Sequence, residues 1–153
     1  ETTTFKNADI LWTASEIGVR ESRMITGKHI LCEDEILNCT KFEDGIAACN
    51  YDIDIHNPEG TGTSHHFFAP GEYYTIPYRC LCPAKIRNLL VAGRCISSTH
   101  EAQASYRIMP TVCTLGQAAG VGASVAYKQK CEVADADIKK IRKILAENNA
   151  VID

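Results

Sequence analysis

Residues 88–92 read NLLVA, an apolar run stopped by Gly93, and such a run predicts a strand covered on both faces, as in a parallel or mixed α/β sheet. Pro110 opens the next apolar stretch. Its fixed φ and missing N–H suit a first helical position, so a helix is expected from Met109 or Pro110 to about Tyr127. Upstream, Ile10 to Thr13 and the alternating Arg23 to Leu31 predict strands, and EDEILN (33–38) predicts a short helix with acidic residues in its first turn. Ile46 to His56 predicts one strand that sets Asp52, Asp54 and His56 on one face and Tyr51, Ile53 and Ile55 on the other. Asn57 to Gly71 is a loop long enough for a lid or a disordered segment, and Tyr73 to Leu81 returns as a strand that Pro77 confines to an edge or bulge. Asp135 or Asp137 caps a last amphipathic helix. Its buried stripe is Ile138, Ile141 and Leu145, with Lys139, Lys140, Arg142 and Lys143 facing water.

The chain has 153 residues, 45% hydrophobic and 23% charged, enough for one core and short for two domains. A formal charge of −3 offers no basic face for nucleic acid, and no apolar run reaches membrane-spanning length. No signal-peptide pattern opens the sequence, which favours a cytoplasmic protein. Eight cysteines are scattered, with Cys80 and Cys82 the one close pair. That spacing suits neither zinc nor iron–sulfur ligation, and reduced thiols are expected rather than a disulfide framework.

The predicted helix of 109–127 carries two chemical signals. Its first amides, around Thr111, Val112 and Cys113, stand at the positive end of the helix dipole, where they can hold an anion or an electron-rich carbonyl. Gly116, Gly120 and Gly122, with Ala119 and Ala123, make a small face. Glycine within a helix costs about 0.5–1 kcal/mol relative to Ala, so something must approach closely, either a packed sheet or a cofactor near the helix start. Gly93 and Arg94 follow the predicted strand at its carboxyl end, the usual ligand position in open α/β sheets.

Other polar residues divide between chemistry and architecture. His56 beside Asp52 and Asp54 is either a carboxylate-supported imidazole or part of a surface strand face. Arg79, next to Tyr78, is either a bidentate clamp on a substrate carboxylate or a surface ion pair. Arg20, Glu21 and Arg23 read as a structural ion-pair cluster, and His65 and His66 as solvated loop residues.

The strings LLVAGRCISSTHEAQASYRIMPTVCTLGQAAG (89–120), GVRESRMITGKHIL (18–31), YDIDIH (51–56) and IPYRCLCP (76–83) together resemble the carboxy-terminal part of the FAD-dependent oxidoreductase family. The dinucleotide domain of that family is of the glutathione-reductase type, related in fold to fumarate reductase flavoproteins. The chain departs from the family pattern at Gln103 and Tyr106, where small or aliphatic residues are usual, which bears on pocket shape.

The resemblance implies an α+β or α/β fragment, with mostly antiparallel strands and one buried strand–loop–helix unit that completes an FAD-binding domain. Residues 1–87 would belong to the substrate-side β-rich region and 88–153 to the FAD domain. It implies FAD contacts from Ala92, Gly93, Arg94, Met109, Pro110, Thr111 and Val112, and catalytic roles for His100, Arg107 and His56, with Glu101 nearby. Tyr78 and Arg79 would bind the small-molecule substrate, and hydride would pass to flavin N5. The GxGxxG turn that holds an FAD pyrophosphate is missing, and the sequence starts at Glu1 without Met. The expected partner is therefore an amino-terminal part of the same protein, and a homo-oligomer is also possible. The contrasting expectation is a non-catalytic interaction or scaffold module that keeps the flavoprotein fold.

Overall fold

The computed structural model describes residues 7–56 and 63–153; the side chains at 56 and 63–66 fall outside that description. Four helices and four short strands follow in the order α1 (Glu33–Leu37), β1 (Gly45–Cys49), β2 (Ile53–His56), β3 (Thr63–His66), β4 (Tyr74–Pro77), α2 (His100–Tyr106), α3 (Met109–Gln129) and α4 (Ile138–Glu147). Short 3-10 turns occupy Tyr78–Leu81 and Val133–Asp135. The strands form two antiparallel ribbons, β1 with β4 and β2 with β3, so the fold is α+β.

Local signals account for the helices. Cys32 caps α1 and its amide is taken by the Glu35 carboxylate at 3.0 Å, with Glu33, Asp34 and Glu35 all in the first turn. Pro110 stands in the first turn of α3, and Lys130 ends the helix in the left-handed conformation (φ 57). Asp137 caps α4 by accepting from the Lys140 amide at 3.2 Å, and Ile141 and Leu145 are fully buried, with Ile138 packed beside them. Arg142 departs from its expected place in water. Its guanidinium donates to the Gly45 carbonyl and to Asp153 at 2.8 Å, tying α4 to β1 and the chain end.

The core lies between α3, α4 and the β1–β4 ribbon, where Leu31, Ile46, Tyr74, Ile76, Leu115, Ile141 and Leu145 have no exposed surface. Burying such side chains contributes roughly 1.5–3 kcal/mol each. Both ribbon edges meet irregular chain. The Ala48 amide donates to Val151 O at 2.9 Å, and the Thr75 amide to Thr40 O at 3.0 Å.

Several expected strands take other forms. Ile46 to His56 breaks at Asn50–Asp52, because Cys49 pairs with Tyr74 whereas Ile53 pairs with His66 in the other ribbon. The Asn57–Gly71 loop contains strand β3, while residues 57–62 lie outside the described residues. Strand β4 stops at Pro77, beside an irregularity between Gly45 and Ala47, and the chain turns there because the Tyr78 amide goes to Asp44 O at 2.9 Å. Arg23 to Leu31 is no regular strand; it makes isolated bridges, Gly27 to Pro83 and Leu31 to Ser98, since its amides serve different neighbours in turn. Gly27 is required there, as a Cβ would fall 2.7 Å from Ser97 Cβ. Ile10 to Thr13 also forms no strand, and Ile10, Leu11 and Trp12 are more than three-quarters exposed.

Residues 88–92 are the largest departure. Asn88 adopts a left-handed backbone (φ 52) that interrupts any extended run, Leu89 is exposed, and the described pairing is a single bond from the Val91 amide to Leu81 O at 2.9 Å. The loop expected between Gly93 and Met109 contains helix α2 instead, capped by the Thr99 hydroxyl. No single described helix is long and apolar enough to cross a membrane, and α2 and α3 bend by 98° where they meet.

Candidate functional site

Residues 19–23 run alongside Gly93–Cys95 and the first turn of α3, and the three segments enclose an open cleft of about 430 Å³. Its lining includes Arg20, Glu21, Arg23, Gly93, Arg94 and Val112. Gly93 has φ 106, a conformation that side chains resist, and a Cβ there would meet no atom within 4 Å. The glycine thus serves the backbone turn and leaves its surface open to the cleft.

Two buried polar residues, Gln103 and Tyr106, hold the walls. Gln103 has no exposed surface; its amide donates to Arg20 O at 3.2 Å, and its own oxygen has no hydrogen-bond partner among the described residues. Tyr106, equally buried, shares a 2.9 Å bond with the Ser98 hydroxyl and reaches Arg94 O at 3.3 Å. Burial pushes the Tyr106 phenol well above its ordinary pKa, so it stays a neutral hydrogen-bonding group. The opposite wall is tied in by the Ile25 amide, which donates to Cys95 O at 3.0 Å.

His100, at the start of α2, sits 2.6 Å from Glu21 through its Nδ1 and stays half exposed. Glu21 was expected in an ion-pair cluster with Arg20 and Arg23; it faces His100 instead, and neither arginine meets a carboxylate among the described residues. Glu101 acts as a helix-end residue. Its own amide and the Thr99 hydroxyl hold its carboxyl below the usual pKa.

Arg107 caps the end of α2 and turns toward β2. Its guanidinium donates to Asp54 O at 2.9 Å and lies 4.0 Å from the Asp54 carboxylate, with only 12% of the side chain exposed. Its carbonyl accepts from Arg94 Nε at 2.9 Å. Neither Arg107 nor His100 lines the cleft itself, so both stand behind its wall or at its rim. The side chain of His56, and those of His65 and His66, lie outside the described residues.

The α3 start corrects the list of available amides. Because the helix begins at Met109, the Val112 amide already closes the first turn onto Ile108 O at 3.1 Å. Met109 and Thr111 precede that bond, Pro110 has no N–H, and Cys113 comes after it. Thr111 is buried and its hydroxyl donates to Cys49 Sγ at 3.4 Å, while Met109 is largely exposed. Ala92 is half-buried, and its carbonyl accepts from the Cys95 thiol at 3.7 Å.

Tyr78 and Arg79, expected to bind substrate, have structural partners. The Tyr78 hydroxyl donates to Val133 O at 2.9 Å from a buried ring, and burial raises its pKa. Arg79 places Nε at 2.9 Å and a terminal nitrogen at 3.2 Å from the two Asp44 oxygens. Its fork is therefore occupied. A separate cavity of about 670 Å³ that both residues line also holds Lys41 and Asp135, and lies apart from the cleft.

The glycine face of α3 splits in two. Gly122 packs on the Tyr78 ring, whereas a Cβ at Gly116 or Gly120 would meet open space. All eight cysteines are free thiols; burial lifts Cys80 to about 12 and Cys82 to about 11, while Cys113 is exposed. Among the described residues no group of three His, Cys, Asp or Glu side chains is arranged to hold a metal ion.

The family model described as FAD dependent oxidoreductase matches residues 1–145. Neither the curated proteins nor the solved structures yield a match.

Proposed function

This chain belongs to the FAD-dependent oxidoreductase family, with FAD as cofactor, and from that premise we propose that the cleft beside Gly93 receives the flavin-bearing half of FAD for hydride transfer with a small-molecule substrate. The observation that carries this reading is the juxtaposition of an open, positive-φ glycine with Arg94 and the first turn of α3. The residues present fit the group. Gly93 allows close approach of a ligand to backbone, Arg94 supplies a cation, and the Met109 and Thr111 amides stand at the positive end of a 21-residue helix. Bound there, FAD supplies the two-electron chemistry that amino-acid side chains lack.

The chain's own groups then position and polarise. Helix-end amides favour negative charge beside them, which stabilises a reduced cofactor relative to an oxidised one. His100, supported by Glu21 at 2.6 Å, can hold or release a proton at the cleft rim. Arg107 acts as a positioning residue, fixing Arg94 through its carbonyl and β2 through its guanidinium. The pyrophosphate turn comes, on this reading, from an amino-terminal GxGxxG segment of the same protein, as these 153 residues contain none.

Titration of the purified chain with FAD tests this, read by flavin fluorescence and the visible spectrum. Weak, saturable binding that Gly93→Val abolishes is expected. Submicromolar affinity would show that no pyrophosphate turn is needed, and absence of binding at millimolar FAD would overturn the cleft assignment.

A further inference from the structure

We propose that Arg20, Arg23 and Arg94 form an oxyanion-binding site, specific for a carboxylate or phosphate group, within the cleft. The inference deepens the functional reading above and rests on it for the neighbouring ligand. Its chemistry rests on charge. Three arginines line one space of about 430 Å³, and Glu21 is the one acidic residue in that lining. That carboxylate is directed to His100 at 2.6 Å.

Like charges gathered without counter-charges repel, and exposed side chains ordinarily relieve this by turning to a nearby acid. No carboxylate among the described residues pairs with Arg20, Arg23 or Arg94. By contrast Arg79, Arg87, Arg107 and Arg142 each have an acidic partner. Arg94 stands far from Arg20 and Arg23 in sequence, yet the backbones of Arg20 and Arg94 are both held in place. Gln103, fully buried, bonds Arg20 O at 3.2 Å, Tyr106 bonds Arg94 O at 3.3 Å, and Arg94 Nε is fixed on Arg107 O at 2.9 Å. That last bond leaves the terminal nitrogens of Arg94 as donors for a fork-shaped acceptor. A planar guanidinium donates two parallel hydrogen bonds to the paired oxygens of a carboxylate or phosphate, which a water molecule or a neutral ligand cannot match.

Two sources carry that chemistry: an acidic substrate held beside the flavin, or the diphosphate of FAD itself. Separate calorimetric titrations of the 153-residue chain with pyrophosphate, succinate and neutral riboflavin, at constant ionic strength, distinguish them. At least one anion should bind, and the double variant Arg20→Gln, Arg23→Gln should weaken it by about tenfold or more. Arg79→Gln, whose fork is held by Asp44, should leave the affinity unchanged. Preference for succinate assigns the site to substrate, and preference for pyrophosphate assigns it to the cofactor. If neither anion binds at millimolar concentration, or if the double variant binds as well as the parent with its circular dichroism intact, the oxyanion site is refuted. Riboflavin binding in that case would leave the flavin cleft standing, while anion binding without FAD binding would sink the flavin reading alone.

Discussion

The Tyr78 ring lies against Gly122 of α3 so closely that a Cβ at Gly122 would fall 2.8 Å from the ring carbon Cε2. The Tyr78 hydroxyl is meanwhile fixed on Val133 O at 2.9 Å, so the ring cannot retreat without losing a bond. Gly122→Ala should therefore destabilise the chain by about 1–3 kcal/mol, the usual cost of overpacking. Gly116→Ala and Gly120→Ala, which meet open space, should instead raise stability by up to about 1 kcal/mol through helix propensity. Urea unfolding of the three variants checks the contrast. Equal effects at all three positions would contradict the packing assignment.

Arg79 is predicted to be a structural residue of modest weight. Its bidentate pair with Asp44 is partly solvated, the arginine side chain being 49% exposed, so Arg79→Ala should cost about 1 kcal/mol or less. Turnover by the flavin-loaded protein should keep its KM for substrate. A large rise in KM with little loss of stability would restore the substrate-clamp role.

Removing the Arg107 side chain should weaken the fold more, because its charge is largely buried and donates to the Asp54 carbonyl. A loss of about 2 kcal/mol is expected for Arg107→Ala, in the range of hydrogen bonds made by charged groups. Arg107→Lys keeps the charge but not the fork and should recover only part. Thermal melts of the two variants decide this, and a melt for Arg107→Ala that matches the parent would refute the assignment.

The buried thiols set an alkaline limit. Cys80 and Cys82 are raised from 9.0 to about 12 and about 11, foremost by burial, so the folded chain keeps protons that the unfolded chain releases. Their contribution is fully present below pH 9 and is lost as the pH rises toward 11 and 12. Between pH 9 and 10, stability should fall with a slope approaching about 1.4 kcal/mol per pH unit for each thiol. Denaturant titrations across that interval measure the slope, and Cys82→Ala should flatten it. At pH 8, iodoacetamide should label the exposed Cys113 well before either buried thiol.

The sequence made those features legible whose causes are local. Pro110 marks the start of α3, Asp137 caps α4 and the acidic first turn announces α1, because each signal acts within one helical turn. NLLVA misled for the opposite reason: an apolar run becomes a strand only when another strand accepts its bonds, and here Asn88 turns the chain away. The neighbours of Gly93 were likewise concealed. Glu21 meets His100 across 79 positions and Gln103 meets Arg20 across 83, so neither pairing leaves a trace in local periodicity. What Arg79 and Arg107 meet was equally hidden, because their partners, Asp44 and Asp54, are 35 and 53 residues distant. The signal that could have marked Gln103 and Tyr106 is a large polar side chain set among small ones in HEAQASY, since such a side chain needs a partner once it is buried.

Both edges of the β1–β4 ribbon are spoken for, at Ala48 by Val151 and at Thr75 by Thr40. An uncovered edge would invite another copy to extend the sheet, the first step of fibrous aggregation. Clumping through this ribbon is thus discouraged without any charged gatekeeper on its strands. A different hazard is greasy rather than strand-templated: it lies in Ile10, Leu11 and Trp12, and polar replacements there should improve handling at high concentration while leaving the core untouched.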